Sequence, residues 1–200
     1  MTKTKHDLRS EATRRQLITA ARRLFGARGY AAVGTEEIVR AAGVTRGALY
    51  HQFRDKADLF AAVAEEVEAE IAEQIAAGAA GAAADPVGAL RAGARLFLHA
   101  CAEPEVERII LLDAPAVLGW EAWRDLAGRY GLGLVQLALQ SAMDAGAIAP
   151  QPVIPLAHAL VGALDECALY VARAGEPAAA REECAMIIDR ILRCITGRGS

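Results

Sequence analysis

This chain lacks paired cysteines, clustered histidines, long apolar runs and the common catalytic motifs, and each absence removes a class of function. Cys101, Cys167, Cys184 and Cys194 form no CxxC pair and lie in apolar stretches with helical spacing. Buried free thiols are therefore expected, rather than zinc ligands or a disulfide framework. His99 and His158 stand singly without metal-ligand spacing around them, so neither a metal nor a cofactor is expected. No apolar run approaches the roughly 18 residues that a membrane span needs, and no signal-peptide pattern opens the chain. A cytoplasmic location with no membrane partner follows as the expectation. Phosphate-binding glycine loops, nucleophile elbows and His/Cys/Asp clusters are missing, so the chain is not expected to be an enzyme.

What is present is apolar helix-forming sequence and an uneven charge. Two hundred residues at 54% hydrophobic content bury a full core in one domain or two small ones. The net charge of −3 hides an asymmetry. Residues 1–60 carry 12 Lys and Arg against 6 Asp and Glu, which leaves 10 against 19 in the remainder. A basic head on an acidic body suits a nucleic-acid-binding module joined to a different one.

The informative stretch is Thr35 to Phe60, TEEIVRAAGVTRGALYHQFRDKADLF. Thr35 is expected to cap a short helix whose apolar face is Ile38, Ala41 and Ala42. Gly43 suits the left-handed residue that ends it, with Val44 tucked beneath the turn. Thr45 then caps a second helix through Phe53. On that helix Leu49 and Phe53 point inward, while Arg46, Gly47, Tyr50 and His51 share the opposite face. A guanidinium, a phenol, an imidazole and a missing side chain on one exposed face suit entry into a major groove. Asp55 is expected to cap a long helix, with Asp58 as its reciprocal partner and Lys56 at its mouth, placed to meet a phosphate.

Taken together, Ala21–Phe25 (ARRLF), Gly29–Tyr30, Thr35, Ile38–Tyr50 (IVRAAGVTRGALY), Phe53, Lys56 and Leu59 resemble the N-terminal domain of TetR-family transcriptional regulators. The resemblance covers about the first third of the chain. One position departs from it: Gln52 stands where the family usually has His, and His51 occupies the variable position before it. The resemblance implies an all-α protein of about nine helices. A three-helix helix-turn-helix domain over residues 1–58 would precede a helical effector-binding and dimerisation domain over 59–200. It implies a homodimer on double-stranded operator DNA, contacted by Thr35, Thr45, Arg46, Gly47, Tyr50, His51, Gln52 and Lys56. It further implies a repressor released by an unidentified small molecule. A redox-responsive regulator using cysteine, or a helical adaptor or enzyme, are the alternatives.

The chain ahead of and beyond this stretch is expected to be helical as well. Residues 1–9 are expected to form a frayed arm before Ser10 caps the first helix, and AAGAAGAAA, residues 76–84, a frayed end and loop. Asp85-Pro86 restarts the chain, and Pro150, Pro152 and Pro155 define an extended connection before a helix from Leu156. Two late helices, the first apolar nearly all round, carry the expected dimer face at Leu160, Leu164, Cys167, Val171, Ile188 and Ile191. Phe97, Asp113, Trp120, Trp123 and Glu166 are the candidate ligand contacts. A carboxylate on an apolar helix needs a partner, a cavity or an interface, although tryptophans three apart also suit an ordinary core.

Overall fold

Capping side chains, glycines and prolines divide the chain into helices. The computed structural model describes residues 5–80 and 85–195, and among them there are nine helices and no strand. They are α1 (Lys5–Arg28), α2 (Thr35–Ala42), α3 (Arg46–Gln52), α4 (Lys56–Ala80) and α5 (Pro86–Ala100). Then follow α6 (residues 104–118) and α7 (residues 120–144), with α8 (Val153–Ala172) and α9 (Pro177–Ile195) last. Two helices widen locally to π-helix, α6 over Glu107–Asp113 and α7 over Gly128–Leu132.

Several boundaries differ from expectation, each for a local reason. Helix α1 starts at Lys5 and not at Ser10, since nothing in the polar approach breaks a helix; Lys3 lies outside the described residues. Gly34, not Thr35, stands at the N-cap of α2, and its carbonyl accepts from Glu37 and Ile38. The buried face of α2 is Ile38 with Val39, and Ala41 is exposed. Helix α4 continues through Gly78 to Ala80, with residues 81–84 outside the described set. Pro155 sits in the first turn of α8, where its missing N–H has no helical partner to lose.

The chain divides into two compact units. One unit is Met1–Val67 with Pro104–Trp123. Helix α1 packs on α2, α3 and α6, and Leu17, Phe25, Ile38, Leu49, Phe60 and Ile109 are fully buried. The rings of Phe25, Tyr30 and Phe60 meet pairwise at 5.2–5.6 Å between centroids, a geometry that adds edge-to-face attraction to area burial. Polar ties hold α6 in this unit. Arg22 of α1 pairs with Glu105 at 2.7 Å, and Asp113 accepts from the Tyr30 backbone N–H at 2.6 Å.

The other unit is Glu68–Glu103 with Arg124–Ser200. Its core joins Leu90 and Ala94 of α5, Leu139 and Ala142 of α7, Leu160 of α8, and Ile188 and Leu192 of α9. Of the residues expected at the dimer face, five lie in or against this core. Leu160, Val171 and Ile188 are buried within the protomer, and Leu164, Cys167 and Ile191 pack against the same core. The exposed apolar side chains of these helices are Ile154 and Tyr170 on α8, and Met186 and Ile187 on α9. The expectation about apolar runs is also amended. Helix α8 is long and apolar enough to cross a membrane by length and composition, with mean hydropathy 1.4. It nevertheless carries Asp165 and Glu166, and its Ala157 and Leu160 are part of the bundle core.

Candidate nucleic-acid interface and ligand cavity

The turn between α2 and α3 is set by backbone chemistry. Gly43 takes φ 67°, a left-handed conformation that costs a side-chain-bearing residue energy. The N–H of Val44 then reaches back to the Val39 carbonyl at 3.1 Å, while that of Gly43 bonds Arg40, the doubly bonded helix end that such a glycine permits. Thr45 starts α3, its Oγ1 accepting from the Ala48 N–H at 3.2 Å. The next helix opens similarly: Asp55 accepts from the Asp58 N–H at 2.8 Å, and Asp58 returns to the Arg54 N–H at 3.0 Å. The Arg54 bonds hold the Asp58 carboxyl below its usual value.

With Leu49 and Phe53 buried, α3 presents Thr45, Arg46, Gly47, Tyr50 and His51 to solvent. The Arg46 guanidinium lies 5.6 Å from the centre of the Tyr50 ring and pairs with Glu36 at 3.0 Å. Both ion-pair partners are well exposed, so the pair holds Arg46 only weakly and leaves it available for other acceptors. Thr35, at the first position of α2, is half-buried. This surface has donors, a flat ring and a bare backbone position on one short helix, which is what groove entry requires.

Two of the expected contact residues make hydrogen bonds within the fold. The Lys56 ammonium donates to the carbonyls of Tyr30 and Val33, each at 3.0 Å, and lies 3.9 Å from the centre of the Tyr30 ring. Most of its bonding capacity is therefore spent on fastening the turn after α1. Gln52 donates to Ser10 Oγ at 2.8 Å, tying α3 to α1.

The second unit contains a cavity of about 380 Å³. Ile71, Phe97, Tyr130, Leu134 and Leu164 are among its lining residues, together with the carboxylates of Glu68 and Asp165. Of the expected ligand contacts, only Phe97 lines it. Asp113 is committed to Tyr30, Trp120 is exposed, Trp123 is buried in the first unit, and Glu166 is exposed. Glu68 is 6% exposed and Asp165 7%. Asp165 has the Arg124 guanidinium at 2.5 Å, yet burial raises its carboxyl to about 6. For Glu68, burial and then the Asp165 charge raise the carboxyl to about 7. The omission of Glu68 from the sequence-based candidates has a physical cause. It lies among Glu65, Glu66, Glu70 and Glu73, a pattern typical of a solvated face. The usable signal was its spacing, four after Ala64 and three before Ile71, on the buried side.

The thiols near this site are poor nucleophiles. Cys101 is buried and its thiol lies well above the usual range, through burial first and then Glu68 and Asp165. Burial and the Cys184 hydrogen bond push Cys167 up to about 12. Since thiolate is the reactive form, a cysteine-based trigger is not favoured.

Comparison with known proteins gives one match for each half of the chain. Residues 17–63 match the family described as bacterial regulatory proteins, tetR family. Residues 87–195 match the tetracyclin repressor-like C-terminal domain. The HTH-type transcriptional regulator AcrR of Shigella flexneri is 44% identical over 71 residues, 36% of this chain and 32% of that protein. The chain thus spans about a third of the length of this curated relative. A crystal structure of a TetR-family transcriptional regulator from Pectobacterium atrosepticum is similar over 99% of this chain and 100% of its own. It has a TM-score of 0.85 at 31% identity. The structure of RolR in complex with resorcinol shares the fold, with a TM-score of 0.74 at 20% identity over 96% of each chain.

Proposed function

This chain belongs to the TetR family of bacterial transcriptional regulators, and on that premise we propose that it is a cytoplasmic, non-catalytic repressor that leaves its operator when a small molecule fills the cavity. Residues 1–58 would bind DNA, and residues 59–200 would bind the effector and a second protomer. The observation that carries this reading is the exposed face of α3, held by the Gly43 turn and the Thr45 cap. Thr35, Thr45 and Tyr50 position the helix on phosphates, Gly47 permits close approach, and Arg46 and His51 reach bases. Binding of the protein to its own upstream DNA, measured by fluorescence anisotropy against random duplex, tests it. Arg46→Ala is expected to weaken operator binding by about 1–3 kcal/mol and to relax preference at one base position per half-site. An equal loss on operator and random DNA would sink the base-reading role.

Lys56 and Gln52 act from inside the fold in this reading. Lys56→Met is expected to lower stability by about 1–3 kcal/mol, because the Val33 carbonyl loses the ammonium and the Tyr30 carbonyl keeps only the Val33 N–H at 3.4 Å. The salt dependence of DNA binding should stay as it is. A phosphate contact at Lys56 would instead remove about one unit from that salt slope with unfolding temperature unchanged.

Coupling between effector and operator has a covalent route. Helix α4 is unbroken from Lys56 to Ala80, with Leu59 and Phe60 in the first unit and Glu68 and Ile71 on the cavity wall. A ligand that prefers another placement of α4 shifts the DNA-binding population. A hundredfold shift needs a differential affinity of about 2.7 kcal/mol, and DNA must weaken the ligand by the same factor.

A further inference from the structure

We propose that Glu36, on α2, is a specificity-determining residue of the DNA interface. Its carboxylate accepts from the amino group of a cytosine within one base step of a guanine read by Arg46. The inference rests on α3 being the helix that enters the major groove. Three observations carry it. Glu36 and Arg46 stand in the first turns of α2 and α3 and meet at 3.0 Å through Oε1 and Nη1, which brings a carboxylate from one helix to the reading face of the next. Both side chains are exposed, 62% for Glu36 and 66% for Arg46, so the carboxylate is open to whatever α3 approaches. Helix α3 has no acid of its own, and Glu37, beside Glu36, is turned to Arg28 at 2.5 Å.

A carboxylate brought up to DNA is repelled by the phosphates and weakens binding to all sequences alike. A donor on a base edge offsets that cost. In the major groove cytosine presents its N4 amino group, guanine and thymine present acceptors, and adenine sets its N7 acceptor beside the N6 amino group. A carboxylate therefore favours cytosine, takes adenine less well and rejects guanine and thymine. Arg46 has the complementary preference, for guanine O6 and N7. An ion pair through Nη1 leaves the edge formed by Nη2 and Nε for that bidentate contact. The exposed carboxylate keeps lone pairs for the cytosine amino group. Successive bases are about 3.4 Å apart along a strand, close to the separation of the two charged groups, so a guanine and a cytosine in the same or adjacent base pairs satisfy both.

Selection from randomised duplexes, followed by sequencing, defines the sites of wild type, Glu36→Gln, Glu36→Ala and Arg46→Ala, the last marking the guanine position. Fluorescence anisotropy on four duplexes that differ only at the cytosine then measures the preference. Wild type is expected to bind the cytosine duplex at least about tenfold more tightly than the guanine or thymine one, equivalent to about 1.4 kcal/mol. Glu36→Gln is expected to move the preference to adenine, because a side-chain amide pairs with N6 and N7 together. Glu36→Ala should level the four bases while the guanine preference at the Arg46 position persists. A wild-type site with no cytosine within one step of that guanine overturns the inference. So does an equal gain on all four duplexes in both variants, the behaviour of a solvated surface charge. Loss of the guanine preference alone also overturns it, since Glu36 would then act only by holding Arg46. Each of these results leaves α3 as the reader. Enrichment of no site by wild type overturns the inference and the reading of α3 together.

Discussion

The double substitution Met186→Glu, Ile187→Glu is expected to sediment as a monomer at micromolar concentration and to lose operator binding by roughly a thousandfold or more. The side chains are 56% and 49% exposed on α9, so burying charge within the protomer is not the mechanism. Tyr170 and Ile154 are likewise exposed on α8. These two helices are joined by a short connection and run side by side, with Cys184 Sγ 3.9 Å from the Cys167 carbonyl. Exposed large apolar side chains on two adjacent helices are what a helical dimer interface covers. Charge on both of these positions leaves carboxylates desolvated against each other across a two-fold axis. A lone protomer has one short recognition helix, too little contact for specific binding, and the large loss reflects the missing second half-site. Far-ultraviolet circular dichroism and unfolding temperature should change little. Ile188→Asp supplies the contrast, because Ile188 is 3% exposed in the core and the same charge there should unfold the second unit. A Met186, Ile187 double variant that stays dimeric would place the interface elsewhere.

These comparisons separate what is legible in the sequence from what is not. Turn chemistry is local, and so Gly43, Thr45, Asp55 and Pro177 mark helix ends that the structure retains. The inward pair Leu49 and Phe53 follows from spacing alone, and the exposed face of α3 follows from that pair. Long side chains are another matter. Lys56 sits at a helix mouth where a phosphate contact is reasonable, yet its four-carbon stem reaches carbonyls 23 and 26 residues away. That destination depends on tertiary placement, which no local pattern encodes. Helix α8 illustrates a second limit. Apolar residues nearly all round it give no periodic cue to the outer face, so Leu160 and Ile188 were as eligible for an interface as Ile154 and Ile187. Asp165 and Glu166 are adjacent and chemically alike, but the roughly 100° of helical phase between them points the first into the cavity and the second to solvent.

Glu68→Gln is expected to stabilise the protein relative to wild type by a margin that grows by up to about 3 kcal/mol as pH rises from 4.5 to above 7. Glu68 ionises near 4.5 when exposed and at about 7 in the folded chain. Below 4.5 the carboxyl is protonated in both states and contributes no pH dependence. Between the two values the unfolded chain releases a proton that the folded chain retains, so wild-type stability falls with rising pH. Above about 7 both states are ionised, and the full penalty of an unpartnered buried charge is present. Glutamine keeps the size and removes the titration, so its stability lacks this decline. The groups that share the surroundings are Asp165 with its partner Arg124, and Cys101. Asp165 is raised to about 6 and loses part of its own burial penalty to Arg124, so it adds a smaller decline in the same direction in both proteins. For a protein of this size the difference at pH 8 corresponds to roughly 10 °C in unfolding temperature. Parallel unfolding curves for wild type and Glu68→Gln, measured from pH 4 to pH 8, decide the matter. A constant offset across that range would mean that Glu68 has a partner when folded.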